Sequence, residues 1–363
     1  MCGYNSSIEK MVAKLSGLAG KIVIIHHGDA DGIIGAALLG NYLAERSCRI
    51  TYHSTAEFGE TELPRFVALA ADCEHGIFVE AQGMPESYRV LSDKFINIDH
   101  HPSPRPPVIS RTLNPWLHDI TPLPAACYVI WDMLRVSGTP LPPATGWLAA
   151  RPRQEAANGA PPLNNTGWLA ALGSILDYCP DAARELIARE QPRLARFADL
   201  RDTFLAVQYA EPFAAGLAEY LATLPAPDEL LVREPFAARR QKFRTLIAAA
   251  RTGAAVSPRT VVARTVAGEF RLASPLANRL QDEFPNRLIV VIEEQPDRSR
   301  FSVRRRGGQI PVGATLARLA AELAAAGNGP ADGTGHASAG SARVPRAQAD
   351  NFLLSLLAVF LAG

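Results

Sequence analysis

Two short motifs hold most of the chemistry-bearing residues of this chain. The first is Ile25-His26-His27-Gly28-Asp29-Ala30-Asp31-Gly32, directly after the apolar, β-branched run Ile22-Val-Ile-Ile25. The second is Asp99-His100-His101-Pro102, directly after Phe95-Ile-Asn-Ile98. Both apolar runs read as buried strands. Ligands of open α/β sheets bind beyond the carboxyl ends of strands, so both motifs are expected at the functional edge of one sheet. His27, Asp29 and Asp31 occupy alternate positions and in extended backbone would point to one side. One imidazole and two carboxylates suit a borderline-hard divalent cation. A third apolar run, 77–79, ends in Glu80, and Asp177 closes the otherwise apolar helical stretch that begins at Trp168. Together these side chains can hold two divalent ions about 3.5–4 Å apart, an arrangement that neutralises phosphate oxygens and activates a water for in-line attack. Singly, each has a plainer reading: Asp-Ala-Asp-Gly is a common turn or cap, and a His pair or a lone acidic residue is commonplace. The joint pattern, with strand context at two sites, is what points to a metal centre.

The elements that must position these residues alternate between strand and helix. Residues 33–43, 125–134 and 168–178 carry helical patterns between the strand-like runs. That alternation predicts a mainly parallel sheet with helices on both faces. Gly32 is expected to let the chain turn sharply into its helix. Thr145-Gly-Trp-Leu-Ala-Ala150 recurs as Thr166-Gly-Trp-Leu-Ala-Ala171. The Pro-, Gly- and Asn-rich segment between reads as an insertion, with the second copy as the structural one. Residues 181–222 are helical in pattern, and Pro225 and Pro227 mark a boundary. Beyond it, 260–262, 288–292 and 300–303 read as strands of a second α/β domain, 327–340 as a glycine-rich loop and 348–362 as a closing helix. The expected organisation is a domain over 1–185 with an insertion at about 145–165, a helical connector over 186–225, and a smaller α/β domain over 226–363, with a cleft between the domains.

Composition bounds the partners. The 363 residues are 48% hydrophobic and 20% charged, enough for two cored domains and unlike a disordered chain. Residues 226–363 carry 19 Lys and Arg against 12 Asp and Glu, a net +7, while residues 1–225 carry 18 against 24, a net −6. An acidic half joined to a basic half fits metal chemistry on one side and anion binding on the other. The five cysteines are odd in number, widely spaced and without a C-x-x-C pair, which argues against a disulfide framework or zinc finger and for a reducing cytoplasm. Charges at Glu9, Lys10 and Lys14 break any leader-like apolar run, and the apolar stretch 352–362 is too short to span a bilayer, so no membrane partner is expected.

His27-Gly-Asp29-Ala-Asp31-Gly32 with Asp99-His100-His101 resembles the DHH phosphoesterase superfamily, which includes RecJ exonucleases, nanoRNase-type enzymes and cyclic-dinucleotide phosphodiesterases. Gly333-Thr-Gly335-His336-Ala-Ser-Ala339-Gly340 resembles the G-G-G-H-x-x-A-G loop of the associated C-terminal substrate-binding domain, and Ser302-Val-Arg304 the strand before it. The resemblance spans about 20–345 and implies a metal-dependent hydrolase of short oligonucleotides or single-stranded nucleic acid. It implies two Mn2+ per chain, with Mg2+ as a substitute. His27 and Asp29 would bind the first ion; Asp31, His100 and Asp177 would bind the second. Asp99 would lie near the metals and His101 would face the scissile phosphate. Ser302, Arg304, Gly333, Gly335 and His336 would contact substrate, and a homodimer is compatible with this reading. Two positions depart from the pattern. Glu80 stands where the family has a metal-bridging Asp, and Thr334 replaces the middle glycine of the loop. The chain is short for a RecJ exonuclease with an added OB-type domain, which favours short substrates. The resemblance also admits a catalytically degenerate nucleic-acid-binding member and a cyclic-dinucleotide phosphodiesterase. A pyrophosphatase fits less well, because that branch lacks the glycine-rich loop.

Overall fold

A computed structural model describes residues 2–55, 57–103, 106–136, 166–177, 179–210, 216–223, 226–307, 309–335 and 337–362. The chain forms two compact units, residues 1–208 with 213–237, and residues 209–212 with 238–363.

The first unit is built on strands β1 (Lys21–His27), β2 (Arg49–Thr55), β3 (His75–Val79), β4 (Phe95–Ile98) and β5 (Thr112–Leu113). They pair in the order β2-β1-β3-β4-β5, all parallel. The pleat sorts their side chains between two cores. Ile22, Ile24, Ile77, Val79, Ile96 and Ile98 face one side; Val23, Ile25, Phe78 and Phe95 face the other. The first face is covered by α2 (Ala30–Ala44), α4 (Ala126–Val136) and α5 (Gly167–Leu176), with α1 (Cys2–Ser16) at its margin. The second face is covered by Phe58, by Phe66 of α3 (Leu63–Ala71) and by Tyr88. There the Phe78 and Phe95 rings stack at 4.3 Å. Every residue of α2 is buried, as in a helix packed on all sides. The mainly parallel sheet, covered on both faces, is the architecture expected from the alternating pattern.

Residues 186–225, read from sequence as a connector, contribute to this same core. Helices α6 (Arg184–Glu190), α7 (Phe197–Gln208) and α8 (Leu217–Leu221) supply Leu186, Leu200, Phe204, Val207, Leu217 and Leu221 to the cluster around α2, and α9 (Pro227–Val232) adds Leu230 and Leu231. The second copy of the repeat opens α5; the first copy and the 145–165 insertion lie outside the described residues.

The second unit is a mixed sheet of β6 (Ala255–Val256), β7 (Thr260–Val266), β8 (Leu288–Glu294), β9 (Arg298–Arg304), β10 (Asp332–Gly335) and β11 (Ala339–Pro345). The order is β10-β11-β9-β8-β7-β6, with β7 and β8 parallel and the other pairs antiparallel. Its helices are α10 (Phe236–Thr252), α11 (Ala273–Glu283), α12 (Val312–Ala325) and α13 (Ala349–Ala362). The glycine-rich segment is not the simple loop expected: residues 332–335 and 339–345 form an antiparallel pair. Its glycines serve close packing. A Cβ at Gly333 would lie 2.5 Å from the backbone of Leu316 in α12, and Gly335 has φ +142°. In α13, Phe352, Leu356 and Phe360 recur every four residues and are buried, Phe352 against Phe301 at 4.9 Å. Among the described residues, no helix is long and apolar enough to cross a membrane.

Candidate metal centre

Strand register brings the carboxylates and histidines together. His26 pairs with Val79, and Val79 pairs with Ile98. The next residues, His27, Glu80 and Asp99, therefore emerge level at the carboxyl edge of β1, β3 and β4. Beyond β1 the alternation of His27, Asp29 and Asp31 is not extended strand, as the sequence pattern had implied. The strand ends at His27, Asp29 is the N-cap of α2, and Asp31 lies in its first turn. Convergence comes from the strand-to-helix turn. Asp29 accepts from Gly32 N at 3.0 Å, the usual role of Asp at that position. Asp31 turns inward and accepts from Ala126 N and Cys127 N at the start of α4, both at 2.8 Å. These are buried first-turn donors of a helix N-terminus, aimed at a negative charge. Gly32 is required here for space: a Cβ would lie 2.4 Å from the His27 carbonyl oxygen.

Around that turn the ligand-type atoms crowd. His27 Nδ1 lies 2.8 Å from Asp29 Oδ2 and 3.7 Å from Glu80 Oε2. His100 Nε2 lies 3.7 Å from Asp31 Oδ2 and 3.5 Å from Asp177 Oδ2. His101 Nε2 is 4.0 Å from Glu80 Oε1. Ligand atoms within 4.8 Å of one another form the groups His27–Asp29–Glu80, Glu80–His100–His101, Asp31–Glu80–His100–Asp177 and His100–Asp177–Cys179. Glu80 belongs to three of the four, so the longer side chain still reaches both sides of the centre. It holds a positive φ of 60° at the strand end, a strained conformation for a non-glycine residue and one that clusters at functional sites.

Asp99 organises the second motif. Its Oδ1 accepts from His100 N at 2.8 Å, His101 N at 3.3 Å and His101 Nδ1 at 2.9 Å. With Nδ1 donating to Asp99, His101 turns its Nε2 towards Glu80. Asn114 donates to the His101 carbonyl at 2.9 Å and was not singled out from sequence. His26 is buried and structural: its Nδ1 donates to the His27 carbonyl at 2.8 Å, and burial lowers its pKa to about 4.

The electrostatics of this edge suit a cation. Burial drives the Glu80 carboxyl well above the usual range, and Asp29, Asp31 and Asp177 push the same way. Asp177 is pushed up to about 9 by burial and then by Asp31 and Asp29. Burial also acts upward on Asp29, but the His27 charge and hydrogen bond outweigh it and hold that carboxyl below the usual range. Burial lowers the His100 pKa against the pull of Asp31, favouring the neutral, ligating ring. Asp177 sits at the C-cap of α5, where the partial negative charge of the helix end disfavours an anion. Glu80 Oε2, His100 Nε2 and Asp177 Oδ2 are buried with no hydrogen-bond partner among the described residues. Orphaned ligand atoms of mixed N and O type in a ring of like charges fit divalent ions. A pocket lined by Met84, Asn97, Asp99, Pro102, Val108 and Ile109 opens beside Asp99.

Of the residues expected at one centre, His27, Asp29, Asp31, Glu80, His100, His101 and Asp177 lie in the ligand groups, and Asp99, expected as a ligand too, is tied to them through His101 rather than placed among them. Sequence reading missed Cys179, two residues past Asp177 and inside the His100–Asp177 group. The candidate substrate residues lie on the second unit. Arg304 donates through Nε to Asn278 Oδ1 at 2.7 Å and through Nη1 to the Val303 and Gly340 carbonyls. Ser302 is fully buried, 3.3 Å from Ser274 Oγ. Gly333 and Gly335 pack the hairpin as described above, and His336 lies outside the described residues.

No protein-family model and no curated protein matches the chain. Solved structures do. A manganese-bound exonuclease RecJ superposes with a TM-score of 0.60 at 19% identity, covering 98% of this chain and 94% of that one. RecJ from Thermus thermophilus in complex with Mn2+ gives 0.62 at 18%, covering 99% of this chain and 55% of that one. A DHH domain described as a member of the s1p family of ribosomal proteins gives 0.66 at 14%, covering 97% and 90%. The chain has the fold these three structures share.

Proposed function

We propose that this chain, with the fold of the DHH and RecJ structures, is a metal-dependent phosphoesterase that hydrolyses phosphate esters of short oligonucleotides or single-stranded nucleic acid. The observation that carries the proposal is the edge where seven histidine and carboxylate side chains converge, three of their buried ligand atoms having no hydrogen-bond partner among the described residues. The solved RecJ structures of the same fold are described with Mn2+ or Mg2+, which supports Mn2+ as the resident ion. His27, Asp29 and Glu80 would hold one ion, and Asp31, His100 and Asp177 the other, with Glu80 within reach of both groups. When bound, such ions neutralise phosphate oxygens and lower the pKa of an attacking water.

The chain's own residues do the rest. Asp99 fixes the orientation of His101 through Nδ1, which leaves Nε2 as the nitrogen that takes up a proton and passes it on at the ester. The α4 amides hold Asp31 rigidly, so the ligand it offers costs no reorganisation. The first unit is assigned the chemistry and the basic second unit the grip on substrate. On the second unit, Arg304 is held by Asn278 as a planar donor suited to phosphate oxygens.

The test is hydrolysis of a labelled five-nucleotide RNA and of a long single-stranded DNA, with Mn2+ and with chelator. Mn2+-dependent release of mononucleotides supports the proposal, and the preferred length selects the substrate class. Tight Mn2+ binding with neither substrate cut would refute the nucleic-acid assignment and point to a smaller phosphoester. Absence of metal binding would leave a non-catalytic binder, with Glu80 as its mark.

A further inference from the structure

The two sides of the centre differ in chemistry. His27, Asp29 and Glu80 offer nitrogen and oxygen only, whereas His100 and Asp177 stand beside a thiol. We propose that Cys179 Sγ, with His100 Nε2 and Asp177 Oδ2, binds a thiophilic divalent cation such as Zn2+ or Co2+. This deepens the metal-centre reading above and rests on it.

Backbone geometry places the thiol. Asp177 N donates to Gly173 O at 2.8 Å and Cys179 N to Ser174 O at 2.9 Å, so the chain wraps the end of α5 and keeps both side chains at that end. The three ligand atoms lie within 4.8 Å of one another, His100 Nε2 and Asp177 Oδ2 at 3.5 Å. His100 is only 6% exposed, and its Nε2 is aimed into this group with no hydrogen-bond partner among the described residues. Cys48 points to the Leu18 and Arg46 carbonyls and Cys73 to Ala70 O, while Cys127 lies on Ala170 O and against the Asp31 carboxylate. None of those three joins a candidate metal group.

Imidazole, carboxylate and thiolate form a donor set for Zn2+ or Co2+, at metal–sulfur distances of about 2.3 Å, whereas Mn2+ prefers oxygen. The thiol proton passes to solvent as the metal–sulfur bond forms. The centre is then asymmetric in its ligands, with one oxygen-rich position and one that selects softer ions.

Co2+ titration of the full chain under reducing conditions tests this. The expected result is a near-ultraviolet thiolate-to-cobalt charge-transfer band that is lost in Cys179→Ser and kept in Cys73→Ser. Zn2+ affinity should fall by more than about 100-fold in Cys179→Ser, beyond the roughly 10–100-fold typical of groups that only support a ligand, with a much smaller change for Mn2+. Co2+ binding without the band, or a band that survives Cys179→Ser, overturns the inference and leaves the metal centre standing. No Co2+ binding at all overturns both. If Cys179→Ser does not fold, alkylation of the unmutated chain decides. Zn2+ protection of Cys179 from iodoacetamide, read by peptide mass, supports the inference; an unchanged rate overturns it.

Discussion

Glu80 and Glu293 are both buried carboxylates near strand ends, one in each unit, and the protein treats them in opposite ways. Glu293 in β8 is fully buried, and its Oε2 accepts from the Leu272 and Ala273 amides at the start of α11. Its other oxygen, like one of Glu80's, has no hydrogen-bond partner among the described residues, so an orphan atom alone does not mark a metal site. What differs is company. Glu293 is held by two helix-start amides and joins no group of metal-type ligands among the described residues. Glu80 is ringed by Asp29, Asp31 and Asp177, all of which resist its ionisation. The first carboxylate completes a fold; the second leaves charge unbalanced for something else to complete.

Four measurements can break that contrast. The largest effect belongs to Asp99→Asn, which keeps an acceptor but weakens the hold on His101. Turnover should fall by about 10³-fold while the melting temperature stays near that of the parent. Full activity would remove Asp99 and His101 from the chemistry. Next is Glu293→Gln, whose expected cost is about 2–3 kcal/mol by urea denaturation, because a charge-assisted pair of hydrogen bonds at a buried helix start is weakened. Stability within experimental scatter would show that the α11 amides do not need the charge.

The third compares Mn2+ binding. At 100-fold excess over the dissociation constant, the ion should stabilise the parent by about 2.7 kcal/mol. In Glu80→Gln that gain should largely vanish, while the metal-free protein becomes no less stable, since a crowded carboxylate is lost. Metal-free Glu80→Gln that melts as early as Glu293→Gln would erase the distinction between the two sites. The smallest effect is the pH response. Asp177 has a folded pKa of about 9, raised above its ordinary 3.8. Its contribution to the metal-free fold is complete below the ordinary value and is lost as pH climbs towards 9. Because ligation needs the carboxylate, Mn2+ binding at pH of about 6 to 8 should release protons, and affinity should rise with pH. Calorimetry in buffers of different ionisation enthalpy checks this; zero proton release would refute the raised carboxyls.

Much of this was legible in the chain. The runs at 22–25, 77–79 and 95–98 are fully buried strands, whose continuous apolar character is the strongest local signal. β2 escaped notice because it is a half-exposed edge strand, Arg49-Ile-Thr-Tyr-His-Ser-Thr55, with no apolar run. β10 escaped because its sequence, Asp-Gly-Thr-Gly, has low strand propensity; backbone proximity to α12 selects those glycines. At the centre, residue types and their order were enough to point to eight side chains, seven as candidate ligands and His101 as the group facing the ester. Their geometry was not, because alternate spacing was read as strand while Asp29 actually caps a helix. Cys179 was invisible for another reason: a single thiol carries no spacing pattern, and only the wrapped end of α5 brings it to His100.

Helix α2 has one more consequence. It carries Asp29 and Asp31 at its start, and not one of its fifteen residues is exposed. Amides in such a helix cannot meet solvent through small local openings, so their hydrogen exchange should track global unfolding and be among the slowest in the first unit. The two aspartates would thus be anchored to the part of the first unit that opens last, and their spacing would outlast the smaller openings around them.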